Sequence, residues 1–371
     1  MSPKARSLAL RQKTQQACDQ ARGHAQTLGA ELTKPADQRD PEVMEFAFSA
    51  LSRLRSDLVK LADERARFLK SNDYKSLDLV ERRGFQDISL FGADPKRMLE
   101  LWNRIISAAR LCADHQPCPL YDAPLADGSP AAQRVAALDS LMVSLHEFVN
   151  ARDQQSNESE EMGFFKDIPL LASVFCAHLH AAYRVCLAQR RDTPVRFLDV
   201  GCGGGTKVLL ASEFFGRAEG LEFDPKYVSA AQTLISTVSE DNCDIFQGDA
   251  LTFEEYAAYD VIYFYQPIRN PDLLIQLERR ICANARPGTV IIAPYQGFMG
   301  RYSDYNCGHV AGNIWLAHAS QDFADRIRVR AESLGAVLIP QPMEWESHAG
   351  VLQPLSAALR NNGFHVKARQ S

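Results

Sequence analysis

The hydrophobic rhythm of this chain changes near residue 195. Before that point apolar residues recur at helical spacing. After it, short apolar runs alternate with helical stretches. Asp40-Pro41 opens a long helical segment with Ala47, Leu51, Leu54, Leu58, Leu61 and Phe68 on one stripe, interrupted by Arg65. Such a stripe predicts a helical partner. Asp94-Pro95 opens a second segment carrying Met98, Leu99, Trp102, Ile105, Ile106 and Leu111. Ser129-Pro130 opens a third carrying Leu138, Leu141, Leu145 and Phe148. Each start places a capping side chain before a proline at the first helical position. Residues 114–130 hold four prolines and read as loop. The first 35 residues are polar and read either as helix or as poorly ordered chain. Ala151 to Glu161 is acidic and lacks apolar periodicity, which predicts a linker. The expected organisation is a helical domain over 1–150, a linker over 151–161 and an α/β domain over 162–371.

The α/β reading begins at Val195, Phe197, Leu198 and Val200, a short buried strand that runs into Gly201-Cys202-Gly203-Gly204-Gly205. Thr206 to Ala211 then opens a helix. Strand, glycine turn and helix together form the nucleotide-binding start of a doubly wound sheet. A dinucleotide fold wants G-x-G-x-x-G, yet the third glycine position is Thr206, and Asp199 lies where phosphates would be repelled. A second short strand ends in Glu222, about 20 residues past the glycines, where a carboxylate meets ribose hydroxyls. Phe223 follows and is placed to cover a base. Asp224-Pro225 starts the next helix. Asp244 to Gln247 is a third strand leading to Gly248-Asp249-Ala250. Tyr259 to Tyr265 is a fourth, followed by Gln266-Pro267, and Asn270-Pro271 starts another helix. Thr289 to Ala293 is a fifth strand.

The series D-x-G-x-G-x-G at Asp199 to Gly205, with acids ending strands two and three, resembles the class I S-adenosylmethionine-dependent methyltransferases. The resemblance covers roughly residues 160 to 300. It implies a Rossmann-like, mostly parallel sheet that finishes with an antiparallel pair on one edge. It implies S-adenosylmethionine as cofactor, held by Asp199, Gly201, Cys202, Gly203, Glu222, Phe223, Asp249, Ala250 and Phe264. Asp249 is then the acceptor of the adenine amino group. Segments before the first strand often cover the cofactor in this family, so Phe164, Phe165 and Lys166 are candidate lid residues, with a hydrophobic staple as the alternative. Cys202 needs only to be small, and no nucleophilic role is expected of it.

The net charge of −5 supplies no global basic field, and the strand-four exit Tyr265-Gln266-Pro267-Ile268 lacks the Asn- or Asp-Pro-Pro-aromatic turn of base-methylating relatives. Nucleic acid is therefore disfavoured as acceptor, leaving a small molecule or a protein. Nine cysteines without regular spacing argue against a disulfide framework, and the clusters Cys112/His115/Cys118 and Cys176/His178/His180 lack zinc-site spacing, so no metal is expected. No signal peptide or membrane span is read, and a cytoplasmic address is the expectation. The helical half is expected to recognise substrate or to form a homodimer.

Methyl transfer is an in-line displacement that needs alignment and water exclusion, and a base only when the acceptor must lose a proton. Tyr265 is expected to serve the reaction, with His309 as base, while Gln266 and Tyr295 line the acceptor site. Residues 296–318, rich in Tyr, Asn, Gly and His, read as a long functional loop. A non-catalytic cofactor-binding scaffold is the competing reading.

Overall fold

The computed structural model describes residues 2–86, 95–121, 123–150, 156–161, 163, 165–189, 194–238, 241–334 and 349–363. The N-terminal helices are α1 (Pro3–Thr33), α2 (Pro41–Leu69), α3 (Asn72–Lys75), α4 (Leu79–Gln86) and α5 (Pro95–Ala113). Next come α6 (Pro130–Asn150), α7 (Asn157–Glu161) and α8 (Ala172–Ala188). The alternating part runs β1 (Arg196–Val200), α9 (Thr206–Ser212), β2 (Arg217–Glu222), α10 (Pro225–Val238) and β3 (Cys243–Gln247). It continues through β4 (Val261–Phe264), α11 (Pro271–Asn284), β5 (Val290–Ile292) and α12 (Gln296–Met299). The chain closes with β6 (Cys307–Ala311), β7 (Ile314–Ala317), α13 (Gln321–Glu332) and α14 (Gln353–Asn361).

Two compact units share these elements. One holds residues 2–116 together with the described C-terminal residues 349–363. Its core joins Ala21, Ala25 and Leu28 of α1 to Leu51 and Leu58 of α2, Trp102 and Ile105 of α5, and Leu355 and Leu359 of α14. The apolar stripe of α2 thus finds the helical partner its spacing demands, and Asp40 caps α2 by accepting the Glu42 and Val43 amides. Residues 1–35, open between helix and disorder by sequence, are helical over α1.

The other unit is residues 117–334. The chain therefore divides at points other than the sequence-based boundaries at 150 and 162. α6 belongs with the sheet because it is tied to α8 and to the segment at Asp167. Asp139 accepts the Ser173 amide and hydroxyl, both at 2.7 Å, and His146 is buried. Of the apolar stripe read from its sequence, Leu138, Leu141 and Phe148 are exposed and Leu145 is half-buried. Within the acidic stretch expected as linker, residues 156–161 are structured. Residues 151–155 lie outside the described ones, but Ser156 donates its amide to Asp224 at 2.7 Å and α7 follows. The expected C-terminal strands at 336–340 and 363–366 lie largely outside the described residues.

The sheet has seven strands in the order β3-β2-β1-β4-β5-β7-β6. β1 to β5 are parallel, while β7 runs antiparallel to both β5 and β6. Both faces are covered, so the central strands β4 and β5 are buried at every residue and read as continuous apolar runs, while β1 and β2 carry the buried acids Asp199 and Glu219. Phe197, Tyr263 and Ile292 face the layer of α8, α9, α10 and α13. Leu198, Phe264 and Ile291 face the layer of α11. Residues 296–318, read as a long loop, instead form α12 and the β6–β7 hairpin. Its turn is made by Gly312 at φ +53°, where a side chain is strained. The direction of winding reverses between β1 and β4, and open α/β sheets bind ligands at the carboxyl ends of such a switch point.

Candidate functional site

A cleft opens at that switch point. β1 delivers Gly201 and Gly203, β2 delivers Glu222 and Phe223, and β3 delivers Gly248, Asp249 and Ala250. β4 delivers Tyr263, Tyr265 and Gln266. These are the ends expected by sequence, and the structure gathers them into one wall. Glu222 accepts the Gly203 amide at 2.8 Å and the Asp224 amide at 2.9 Å, so it ties the glycine turn to β2. Its carboxyl is held above the ordinary range, chiefly by burial. Asp249 uses one oxygen to accept the Leu251 amide at 2.8 Å.

Asp199 lies fully buried beneath the glycine turn, and its Oδ2 has no hydrogen-bond partner among the described residues. Burial lifts its pKa to about 7, against the opposing pull of Lys207. The Tyr263 hydroxyl on the neighbouring strand is likewise buried and unpaired. Two orphaned polar atoms at the ends of β1 and β4 cost free energy until a polar ligand meets them. An acceptor oxygen of this kind suits an ammonium.

Sequence reasoning missed two residues of this site. Asp167, in the segment before α8, accepts the Gly204 amide at 2.9 Å and the Asn150 side-chain amide at 3.0 Å. Lys207 Nζ lies 3.4 Å from its other oxygen. Burial alone would lower the Lys207 pKa, but Asp167 and Asp199 beside it raise it, so the ammonium stays charged. The available signal was Lys207 itself. A cation in the first turn of a helix opposes the macrodipole and calls for a nearby carboxylate.

Five of the expected residues lie outside the cleft lining, the buried Asp199 and four others. Phe264 is packed in the core against Tyr295 and Phe298 rather than in the cleft lining. Cys202 is buried with its thiol against Gly220, and burial pushes its pKa well up. Tyr295 donates its hydroxyl to the buried Glu278 at 2.7 Å, which Arg301 and Tyr305 also bind. His309 sits on the edge strand β6, with its imidazole 3.0 Å from the Gly312 carbonyl. Neither Tyr295 nor His309 lines the cleft. Of the expected lid, Phe165 and Lys166 do line it, while Phe164 lies outside the described residues.

The sequence pattern of the protein-L-isoaspartate (D-aspartate) O-methyltransferases matches residues 143–278, from α6 through α11 and across every part of the cleft just described. The chain carries a class I S-adenosylmethionine-dependent methyltransferase domain. S-adenosylmethionine is the cofactor of this domain, and the unpaired Asp199 oxygen and the carboxylates at the ends of β2 and β3 are acceptors of the kind its ammonium and hydroxyl groups require. When bound, it supplies the electrophilic methyl group.

No curated protein matches the methyltransferase chain by sequence. Among solved structures, an RNA methyltransferase from Salinibacter ruber in complex with S-adenosyl-L-homocysteine is 22% identical, over 40% of this chain and 91% of that one, at a TM-score of 0.30. An amino pentose methyltransferase from Micromonospora echinaspora is 20% identical, over 36% of this chain and 59% of that one, at 0.27. A sugar N-methyltransferase from Streptoalloteichus is 22% identical, over 33% of this chain and 49% of that one, at 0.27. The chain thus spans less than two thirds of the last two. Likenesses this distant carry no information on substrate. Among the described residues, no helix is long and apolar enough to cross a membrane.

Proposed function

We propose that this methyltransferase acts on a small molecule or a protein that enters the cleft beside Tyr265 and Gln266. One observation carries the placement. Gln266 holds φ +44° immediately before Pro267, at the carboxyl end of β4. Left-handed backbone is costly for a residue with a side chain, and the following proline restricts that residue further. Strain of this sort is kept where a functional geometry requires it. The turn brings Tyr265 and Gln266 to the cleft at the exit of β4, the strand paired with the one that bears Asp199. In this reading Glu222 receives the ribose hydroxyls, Asp249 the adenine amino group, and Asp199 with Tyr263 the ammonium. Tyr265 orients the acceptor or relays its proton.

The matched family is named for methylation of a protein carboxyl, which makes a protein carboxylate the first acceptor to test. A carboxylate is already nucleophilic, so Tyr265 and Gln266 would have only to align it and exclude water. The test has two stages. Calorimetry with S-adenosylhomocysteine measures cofactor binding. Transfer of tritiated methyl from S-adenosylmethionine into isoaspartyl peptide, and into fractionated lysate with and without protease and nuclease, identifies the acceptor class. Label that vanishes with protease supports a protein acceptor, and label in a protease-resistant small fraction supports a small one. Tight binding with no labelled product from any fraction would favour the scaffold reading instead.

A further inference from the structure

The segment Gly163 and Phe165–Ile168 lies along the cleft between the exits of β4 and β1, and it is fastened at both ends. On the β4 side the Arg269 amide donates to the Gly163 carbonyl at 2.9 Å, and the Arg269 guanidinium lies 5.1 Å from the Phe165 ring centroid. That contact is at the surface and is worth little. On the β1 side everything converges on Asp167. Its carboxylate is 3% exposed, takes the Gly204 and Asn150 donors and faces Lys207, with His146 Nδ1 at 3.5 Å. Its own amide donates to the Tyr227 hydroxyl at 3.3 Å. The carboxylate's partners come from α6, the glycine turn and α9, and the backbone amide adds α10, so one residue joins four parts of the fold. Gly203, at φ +55°, has no room for a Cβ because the Asp167 carboxylate occupies that space.

We propose that Asp167 is a positioning residue for the cofactor. It fixes the glycine turn in the conformation that receives the ligand, and it holds Phe165 to Ile168 as the wall of the cleft. The role rests on the methyltransferase reading of the cleft. The physical argument is preorganisation: a turn of successive glycines has many backbone states, and a buried carboxylate on the Gly204 amide selects one of them before the ligand arrives. Charge-assisted hydrogen bonds are the strong kind, and here two donors and an ammonium share one carboxylate. Arg269 holds only the outer end, so the segment has one firm anchor and one weak one.

The test uses the full chain, Asp167→Asn and Asn150→Ala, with S-adenosylhomocysteine and S-adenosylmethionine as calorimetric probes and hydrogen exchange at the Gly204 amide as the ligand-free readout. Asp167→Asn keeps the shape but loses the charge. The expected result is faster exchange at Gly204 and an affinity about ten- to hundredfold lower for both probes alike, with Asn150→Ala shifted the same way by less. Unchanged affinity in the folded variants would overturn the role alone. Loss confined to the cationic probe would also overturn it, because that pattern marks direct charge attraction rather than positioning. Failure of the wild-type chain to bind either probe would overturn the methyltransferase reading and this role with it. If Asp167→Asn does not fold, Asn150→Ala decides by the same criteria.

Discussion

The Glu222 carboxylate holds the Gly203 amide at 2.8 Å, so the acid that ends β2 and the turn that follows β1 are one structural unit. The carboxylate at the end of β2 and the glycine turn therefore cannot be altered independently. Either oxygen of Glu222 keeps a further lone pair for a ribose hydroxyl while bonding backbone.

Replacing Glu222 by Ala is expected to weaken S-adenosylhomocysteine binding by about 1–3 kcal/mol and to lower thermal stability as well, since the Gly203 and Asp224 amides lose their acceptor. Glu222→Gln keeps one acceptor oxygen and should fall between the two. Calorimetry with parallel thermal melts checks this. A variant with full stability but lost affinity would show that Glu222 serves the ligand only.

Gly203→Ala should cost about 1–3 kcal/mol of stability, because φ +55° is strained for alanine and the new methyl meets Asp167. Combining it with Asp167→Ala should return part of that loss by removing the collision, while the backbone strain persists. Chemical denaturation of the two single variants and the double variant reads the coupling directly. Strict additivity would mean that the collision relaxes without cost.

The parts of this site that were legible in the sequence are those fixed by neighbours in the chain. Asp224-Pro225 and Asn270-Pro271 cap their helices because cap and first turn are adjacent, and the glycine turn declares itself by composition. The acids at the ends of β2 and β3 follow from where short apolar runs stop. Asp167 was not legible, since its role depends on Asn150, Gly204, Lys207 and Tyr227, which come together only in the folded sheet. His309 failed for the opposite reason. Its imidazole chemistry suited a base, but its register on an edge strand is set by pairing with β7, which places it beside Trp315. The stripe of Leu138, Leu141 and Phe148 misled because helical spacing says that a face is apolar, not that it points inward.

Stability and cofactor affinity should respond to pH in opposite senses through Asp199. Burial raises its folded-state pKa from 3.8 to about 7, so the folded chain keeps a proton that the unfolded chain releases. The contribution is fully present below about pH 4 and is lost as pH rises through about 7. Asp199→Asn should flatten that decline, being the more stable form relative to wild type at pH 8 than at pH 4. Attraction of a cationic ligand needs the ionised carboxylate, so affinity for S-adenosylmethionine should rise over the same interval in wild type and not in the variant. Denaturant titrations and calorimetry across that range test both halves. A parallel pH response in the two proteins would exclude Asp199 as the titrating group.

Tyr265→Phe is expected to lower turnover on the true acceptor at least about tenfold with cofactor affinity unchanged, because Tyr265 lines the cleft at the β4 exit. Tyr295→Phe should instead cost about 1–3 kcal/mol of stability and spare turnover, since it removes one donor from the buried Glu278. His309→Ala should spare both. Single-turnover kinetics beside melting curves separate the three. Loss of turnover in His309→Ala at intact stability would move the acceptor site toward the hairpin.

The division of the chain makes a final prediction about fragments. A fragment starting at residue 157 follows the acidic stretch, yet it discards α6 and with it Asp139 on Ser173 and Asn150 on Asp167. A fragment of residues 117–334 keeps those contacts. It also keeps Arg184, which donates to the Cys118 and Pro119 carbonyls and so closes the start of the fragment onto α8. The 117–334 fragment should fold and bind S-adenosylhomocysteine close to the full-length affinity, whereas 157–371 should bind at least about tenfold more weakly or fail to fold. In the full chain, protease should cut first in the exposed stretch 123–128, and not between 117 and 121, where backbone carbonyls and the Cys118 amide are engaged. Full affinity in the 157–371 fragment would show that α6 only packs beside the cleft and does not hold it.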